Sequence, residues 1–500
     1  MTIPRLCFWP ASIIAIFFVA HLPQLSLLGF FNAEEAVNVA SSLELKRDGH
    51  WKLPTLSGQP RREKPPLAAW VTAGFIIEPT RALEFQARLP ALLCACVVLA
   101  SVYVSAKSVA DRLENSEWRL ESADSNLYDP PSTIHSPIQL FPVLALVFTA
   151  TNLLFLRHAQ LNMADTFLAA TCAAAHAGWA LAVFGGRWWA GMMLAGVAMG
   201  LGILSKGHMV FLHVLAPWVI FILLTRPLTR TRLLPLFFGL ILMILLGSWW
   251  YVWVGVSEPG MVHFWLHEAT RNKSVDLHPD PWFAYIKSTR FWLPWFPLLC
   301  VGAWVCARRR SGADLLLLLM FFLPLLVMNF FSERKDRYLL PLVPAGALLA
   351  SVGALRLAGS LATRDVRRLA TTIFLVVLVA HGGYWFTQSR GEKGESIMSP
   401  MARVIESHNP PQIITTHPSG DFIAVRAAAA DLSIELNRTI EWHGLIPREP
   451  YVFGTVVFTV QSRNSPAIVS PGLREIARVE RHNEIRIAYV VERMTSSPTR

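Results

Sequence analysis

Two adjacent carboxylates, Glu34 and Glu35, follow the first long apolar run of the sequence, and a basic, proline-rich segment places Lys64 thirty residues after Glu34. A third carboxylate, Asp165, stands alone among apolar neighbours in LNMADTFLAA. Charged groups are costly near lipid and are retained there mainly for function. A carboxylate can take a proton from an attacking hydroxyl, and a lysine can bind a phosphate. The pattern indicates a site for an anionic ligand at a membrane surface, with Glu34, Asp165 and Glu35 as candidate catalytic carboxylates.

Further charged residues are expected on the same side of the membrane. In chain order they are Lys206, His263, His267, Glu268, Arg271, Lys273, Arg334, Lys335, Asp336 and Arg337. Each candidate alone has an ordinary structural explanation: Asp165 can cap a helix, Lys206 can extend its amine to the interface, and Glu35 can brace or cap the next helix. Their common position on one predicted face favours a shared site.

The composition is that of a polytopic membrane protein. The 500 residues are 53% hydrophobic and include 18 Trp, and the mean hydropathy is +0.41. The formal net charge of +11 comes largely from short basic segments between apolar runs, which favours membrane topology and anionic lipid over nucleic acid as its explanation. The six cysteines form no CxxC pair and lie in or beside apolar runs, as buried small hydrophobic residues do.

About eleven apolar runs are long enough to be membrane spans. They lie near 8–30, 89–106, 138–156, 166–184, 188–204, 208–224, 233–254, 291–306, 313–331, 338–355 and 369–387. Arginine-rich short loops at 225–232, 307–312 and 356–368 belong on the cytoplasmic side. This orientation puts the N-terminus inside, and it puts the 32–88 loop, all the candidate residues and the C-terminus outside. The apolar segment 65–77 is too short to span and is predicted to be interfacial or re-entrant.

After Gln388 the composition changes to that of a soluble domain. Strands are predicted at 411–416, 451–460 and 485–491, and helices at 399–408 and 421–433. The predicted fold class is therefore an all-α polytopic membrane protein with a small C-terminal α/β extracytoplasmic domain. The predicted domains are 1–388, with the first outer loop at 32–88, and 389–500.

Several motifs resemble those of the GT-C membrane glycosyltransferases, in the bacterial branch related to protein O-mannosyltransferases and the lipid A aminoarabinose transferase. The matching motifs are Glu34-Glu35, Gly49-His50-Trp51, Ser57-Gly58-Gln59-Pro60, Glu63-Lys64-Pro65-Pro66, ARLPALL, MADTFLA, GILSKGH and RKDRYLLPLVP. The resemblance covers roughly residues 8–355 and leaves the C-terminal domain unassigned. It implies a GT-C fold of about 11–13 transmembrane helices.

The resemblance also implies roles for individual residues. Glu34 would be the general base or acceptor-orienting acid, with Asp165 as its partner. The donor phosphate would be bound by Lys64, Lys206, Arg271, Lys335 and Arg334. The family has Asp where this chain has Glu34, which is one methylene longer. Three possibilities follow: an adjusted acceptor geometry, a base role that falls to Asp165 or Glu35, or a weakly active enzyme.

A metal ion belongs to one branch of the family. There the Glu of the EKP motif and a histidine can hold a divalent metal, which makes Glu63, His267 and Glu268 the residues to consider here. Because the order His267-Glu268 reverses the family's Glu-His order, we expect no metal cofactor.

These features predict an inverting glycosyltransferase that moves a sugar from a polyprenyl phosphate to a lipid, glycan or protein acceptor. The reaction would take place on the outer face of the bacterial cytoplasmic membrane. Two alternatives use the same residues: a transporter for lipid-linked sugars, and a non-catalytic relative whose outer domain binds a partner. Charges concentrated on one face favour the enzyme, because a transporter would spread them through several spans.

Overall fold

The computed structural model describes residues 8–30, 32–79, 81–116, 137–270, 283–331, 333–358, 363–389, 398–416, 422–443, 452–462, 472–481 and 484–492. The helices up to residue 270 are α1 (Phe8–His21), α2 (Ala33–Asp48), α3 (Leu67–Phe75), α4 (Leu83–Ser116), α5 (Phe141–Ala150), α6 (Leu153–His158), α7 (Ala164–Val183), α8 (Trp188–Lys206), α9 (Ala216–Thr225), α10 (Arg230–Ser257) and α11 (Met261–Thr270). They are followed by α12 (Ala284–Lys287), α13 (Phe296–Arg309), α14 (Gly312–Met328), α15 (Val343–Leu357), α16 (Thr363–Ser389), α17 (Ser399–Ser407) and α18 (Phe422–Leu436).

Short 3₁₀-helices occupy Pro23–Ser26, Pro137–Leu140, Ser288–Trp292 and Asp336–Leu342, and a π-helical turn occupies Phe211–Leu215. The strands are β1 (Thr55–Leu56), β2 (Gln59–Pro60), β3 (Ile413–Thr416), β4 (Glu441–Trp442), β5 (Val456–Ser462), β6 (Leu473–Arg481) and β7 (Glu484–Val491).

The polytopic helical architecture is confirmed. Six helices among the described residues are long and apolar enough to cross a membrane: Leu83–Ala110, Ala164–Val183, Trp188–Lys206, Arg230–Ser257, Asp336–Leu357 and Thr363–Ser389. A seventh results if the pair Ala284–Trp292 and Phe296–Arg309, bent by 104°, is one broken span. Shorter apolar helices at Pro10–Ser26, Ile138–Ala150, Phe211–Thr225 and Gly312–Met328 occupy the remaining predicted positions. Helix α3 has only nine residues, about 14 Å, which is too short to span.

Contacts divide the chain into two units. The first comprises Met1–Pro23, Glu63–Leu67 and Ala91–Gly383, and the second comprises Gln24–Arg62, Ala68–Pro90 and Tyr384–Arg500. The second unit thus groups most of the first outer loop with the C-terminal residues. The domain boundary between 388 and 389 stays a prediction.

Close helix packing characterises the first unit. Helix α8 packs against both α7 and α10, and α13 packs against α15. Glycines lie at these contacts: a Cβ on Gly196 would lie 2.3 Å from the carbonyl oxygen of Gly239, and one on Gly302 would lie 1.8 Å from that of Leu349. Small residues allow helix backbones to approach closely where the surrounding lipid gives no hydrophobic drive for association. The glycines therefore fix which helices are neighbours.

The second unit contains the predicted α/β domain. Its five strands lie in the order β4-β3-β5-β7-β6, with β3 parallel to β4 and β5, and β7 antiparallel to β5 and β6. The predicted strands correspond to β3, β5 and β7, and the predicted helices to α17 and α18. Phe458 and Ala488 on the sheet pack with Ile405 of α17 and Leu432 of α18 in one buried cluster. Strands β4 and β6 lie outside the strands predicted from the sequence.

Candidate active site

A buried ion-pair cluster forms around Asp165 in the first unit. Asp165 is the second residue of α7, where Met163 rather than Asp165 occupies the N-cap position. The amine of Lys206 donates to its Oδ1, and Nε of Arg337 lies 3.5 Å from its Oδ2. Lys64 is also close enough to interact electrostatically with this carboxylate. One carboxylate is therefore associated with three cations, and positive charge is in excess.

Tyr338 and the end of helix α8 hold these cations in place. The Lys206 amine lies 4.3 Å from the centroid of the Tyr338 ring, and the guanidinium carbon of Arg337 lies 5.4 Å from it. The Tyr338 hydroxyl donates to Oε2 of Glu333 at 3.0 Å. Lys206 is the last residue of α8, and Gly207 follows it at φ +65°, a region that favours glycine. Cation–π contact and the helix end together restrict where the amine can point.

His158 lies beside this cluster without adding to its charge. Its side chain is buried, and its Nδ1–H donates to the carbonyl of Leu154 at 2.8 Å. Burial lowers the pKa of His158 to about 4, despite the hydrogen bond to Leu154, because the charged form loses its hydration. The imidazole is neutral at physiological pH.

The two leading carboxylates lie on α2 in the second unit and have different environments. The Asn32 side chain caps the helix by accepting from the backbone N–H groups of Glu34 and Glu35 at 3.0 and 3.4 Å. Glu34 is half-buried. Glu35 is fully buried and is held by two hydrogen bonds of 2.8 Å from Arg88, whose guanidinium also donates to the carbonyls of Leu25, Leu28 and Gly29. This geometry supports bracing as the role of Glu35, rather than catalysis.

Other predicted site residues make different contacts. Arg334 donates to the backbone carbonyl of Asn329 at 2.8 and 3.1 Å, and Lys335 lies 3.4 Å from Glu333. Within the 334–337 cluster, it is Arg337 that reaches Asp165. No sequence pattern distinguishes among these cations, because the directions of their side chains depend on the 3₁₀-helix that begins at Asp336. Arg271 and Lys273 lie outside the described residues.

Two of the residues considered for a metal, Glu63 and His267, belong to no possible ligand group in the described part of the chain. Glu63 is exposed, and the His267 ring stacks on that of His263 with centroids 6.5 Å apart. The side chain of Glu268 lies outside the described part of the chain. Among the described residues, no group of three or more His, Cys, Asp or Glu could hold a metal ion. No reaction step is therefore derived through a metal, and metal independence stays a prediction.

Comparisons with known proteins agree with this architecture. No protein-family model matches the sequence. The structure is similar to ArnT from Cupriavidus metallidurans in the apo state, with a TM-score of 0.70 and 16% identity over 96% of this chain and 98% of that one. It is equally similar, at TM-score 0.70 and 17% identity over the same shares, to that protein bound to undecaprenyl phosphate. The oligosaccharyltransferase of Archaeoglobus fulgidus gives a TM-score of 0.50 and 11% identity over 91% of this chain and 69% of that one.

One relative is also similar to this chain in sequence. The undecaprenyl phosphate-alpha-4-amino-4-deoxy-L-arabinose arabinosyl transferase of Aeromonas hydrophila subsp. hydrophila is 32% identical over 174 residues. The match covers 33% of this chain and 30% of that protein's length.

The chain is a multi-pass membrane protein with the fold of the GT-C membrane glycosyltransferases. Within that class, its similarity to aminoarabinose transferases confirms the resemblance predicted from the motifs.

Proposed function

We propose that this protein is an inverting glycosyltransferase that uses a polyprenyl-phosphate-linked sugar as donor and a lipid as acceptor. The observation that carries the proposal is the cluster of Lys64, Lys206 and Arg337 around Asp165 at the end of a membrane-spanning helix. Such a cluster, with more cations than carboxylates, suits a phosphate attached to a membrane-embedded chain. The matched relatives support an undecaprenyl carrier and an aminopentose as the sugar.

The proposed reaction is a single displacement. The acceptor hydroxyl oxygen attacks the anomeric carbon, and the bond from that carbon to the phosphate oxygen breaks, leaving its electron pair on the phosphate. Glu34 takes the hydroxyl proton. Lys64, Lys206 and Arg337 stabilise the charge that develops on the departing phosphate. One displacement inverts the configuration at the anomeric carbon.

Asp165 has a positioning role in this proposal. Its two carboxylate oxygens are engaged by Lys206 and Arg337, so proton transfer from the acceptor is better assigned to the half-buried Glu34. Keeping one carboxylate among three cations also lowers their mutual repulsion when no phosphate is bound.

We further propose that the reaction takes place on the outer side of the bacterial cytoplasmic membrane. The arginine-rich loops at 225–232, 307–312 and 356–368 support a cytoplasmic position for those segments. The C-terminal α/β domain would then be extracytoplasmic.

A transfer assay in native membranes tests this function. Wild type and the variants Glu34→Gln and Glu34→Asp would be restored to a deletion strain, and the lipids profiled by mass spectrometry. We expect a sugar-mass addition with wild type, none with Glu34→Gln, and a reduced level with Glu34→Asp, because only the aspartate keeps a base. Glu475→Gln, an exchange on an edge strand of the C-terminal sheet, is the matched control and should behave as wild type.

Two outcomes would contradict the assignment. Full transfer by a stably produced Glu34→Gln variant would move the base role to another residue. Absence of any mass addition with wild type, on lipids and on glycans alike, would remove the proposed transferase activity and leave the transporter and non-catalytic alternatives.

A further inference from the structure

We propose that residues 437–442, which comprise β4 and its connection to α18, form a clamp that positions helix α2 and with it Glu34. The C-terminal domain contains no motif that can be assigned from the sequence. It would then contribute to sugar transfer by positioning Glu34. The inference rests on the proposed function for the role of Glu34, but the contacts that make up the clamp do not depend on it.

The first contact is an apolar layer between α2 and α18. Both helices contribute to one buried cluster that includes Ala36, Val39, Ala40 and Leu43 of α2 and Ala430 and Ile434 of α18. These three alanines are at most 1% exposed. Burial of this surface stabilises the pairing, but hydrophobic contact is non-directional. An additional directional contact is needed to fix how far α2 can slide or rotate on α18.

Arg47, near the end of α2, makes such a directional contact. Its Nη2 donates to the hydroxyl of Thr439, and its Nη1 donates to the backbone carbonyl of Asn437 at 3.3 Å. Asp48 accepts from Nε and Nη2 of the same guanidinium at 2.9 and 3.0 Å, which fixes the plane of the group. Because the guanidinium is planar and rigid, it can donate to two acceptors at once only when both lie in the right positions. Arg47 therefore pins one end of α2 to the clamp.

The β1–β2 hairpin makes the remaining contacts, with α2 on one side and with the clamp on the other. Its turn residues Ser57 and Gly58 both have positive φ, at +54° and +71°, as a type I′ turn requires. Glu44 of α2 accepts from the N–H groups of Ser57 and Gly58 at 2.7 and 3.2 Å. On its other side, the carbonyl of Ser57 accepts from the N–H of Trp442 at 3.1 Å. Helix, hairpin and clamp thus form a closed ring of contacts within the second unit.

This ring bears on catalysis because Glu34 lies on the same helix as Arg47. An α-helix transmits a displacement at one end to the other, and α2 is continuous over its 16 residues. A misplacement of about 1 Å at a reacting group can lower a rate roughly a hundredfold. Loosening the clamp should therefore reduce turnover through the position of Glu34, although Arg47 and Thr439 have no proposed part in the proton transfer or in phosphate binding.

Hydrogen–deuterium exchange tests the clamp independently of activity. In full-length protein, Arg47→Gln and Thr439→Val should speed exchange severalfold at residues 33–48 and 55–60. The midpoint of thermal unfolding should hardly move, because the Arg47 side chain is one-third exposed and such surface contacts contribute about 1 kcal/mol or less. Wild-type exchange in both variants would overturn the proposal.

Transfer kinetics provide the second readout. In either variant kcat should fall about tenfold or more, by the positioning argument, while the KM for the lipid donor should change less than about twofold. The double variant should be no slower than the slower single variant, because both lose the same contact. Arg47→Lys should be intermediate, since lysine keeps the charge but not the planar, rigid guanidinium.

The matched control is Arg478→Gln. It breaks an exposed ion pair with Glu475 of the same 2.9 Å length as the pair between Arg47 and Asp48, and it should change neither exchange nor kcat. Wild-type kcat in both Arg47→Gln and Thr439→Val would overturn the clamp while leaving the transferase intact. If wild type transfers no sugar, the proposed function fails, and the exchange measurement still decides for or against the clamp.

Discussion

At the scale of single residues, Asp165 is proposed to position cations of the site rather than to act as the base. Its side chain is 7% exposed and is contacted by Lys206 and Arg337. Breaking a buried ion pair by removing one partner is costly, because it leaves the other charge uncompensated. The geometry thus favours Asp165 as the residue that keeps two cations in place, both of which are proposed to bind the donor phosphate.

Replacing Asp165 by Asn should therefore reduce stability and donor binding together. We expect a loss of about 3 kcal/mol in unfolding free energy, seen as a lower thermal midpoint in detergent, and a higher KM for the donor. Asp365→Asn, which removes an exposed partner of Arg368, should change either quantity little. A fall in kcat alone, with the midpoint and KM unchanged, would instead indicate that Asp165 is the base.

The buried side chain of His158 predicts how the stability of the fold depends on pH. Its pKa is about 4 in the folded protein and 6.5 when unperturbed, so the unfolded chain binds a proton that the folded chain does not as pH falls from 6.5 to 4. The stabilising contribution of neutral His158 is complete above pH 6.5 and declines below it, by roughly 3 kcal/mol at pH 4. The measurement is the thermal midpoint against pH.

A variant isolates this contribution from that of other groups. His158→Gln should flatten the decline between pH 6.5 and 4, whereas His408→Gln, at an exposed position, should not. If His158→Gln and wild type lose stability in parallel, another group is responsible for the acid sensitivity.

The sequence predicted the kinds of residue in the site better than their partners. Lys64, Lys206 and Asp165 are brought together as expected. The choice of Arg337 over Arg334 and Lys335, and the pairing of Glu35 with Arg88, depend on side-chain directions. Such directions follow from tertiary packing, which charge and spacing along a chain do not specify.

At the scale of secondary-structure elements, the apolar runs of the sequence predicted the membrane helices well. The strands were harder to predict from the sequence. The β6 sequence LREIARVER places charges at most positions, so it lacks the alternation that identifies a half-buried strand. It lies at the edge of the sheet, where charged side chains protect against unwanted pairing. Helix α4 also continues to Ser116, beyond the predicted end of the second span at 106, because polarity alone does not end a helix.

The close contacts between helices predict which glycines can be replaced by alanine without loss of stability. Gly302→Ala should severely destabilise the protein, by about 3 kcal/mol or more, because the new Cβ would lie 1.8 Å from the Leu349 carbonyl oxygen. Gly74→Ala is the matched control: its Cβ would meet no atom within 4 Å, and alanine favours a helix by about 0.5–1 kcal/mol. Thermal unfolding in detergent should separate the two variants, and equal midpoints would contradict the close α13–α15 contact.

At the scale of the whole molecule, the proposed orientation can be tested by cysteine labelling. In a cysteine-free background, an impermeant maleimide should label Ser407→Cys in intact spheroplasts and should label Arg310→Cys only after permeabilisation. Both positions are exposed, so the contrast reports the side of the membrane, as the positive-inside rule predicts. The reverse pattern would place the C-terminal domain in the cytoplasm.

The ring of contacts around α2 also has a consequence for biosynthesis. Arg47 and Asn437 are 390 residues apart in the chain, so the first outer loop is made early and obtains its last partners only near the end of translation. At about 5–20 residues per second, the apolar side of α2 waits on the order of half a minute for α18. A ribosome-stalled chain that stops before residue 422 should therefore expose α2 to proteases and chaperones, however well the membrane helices have already inserted.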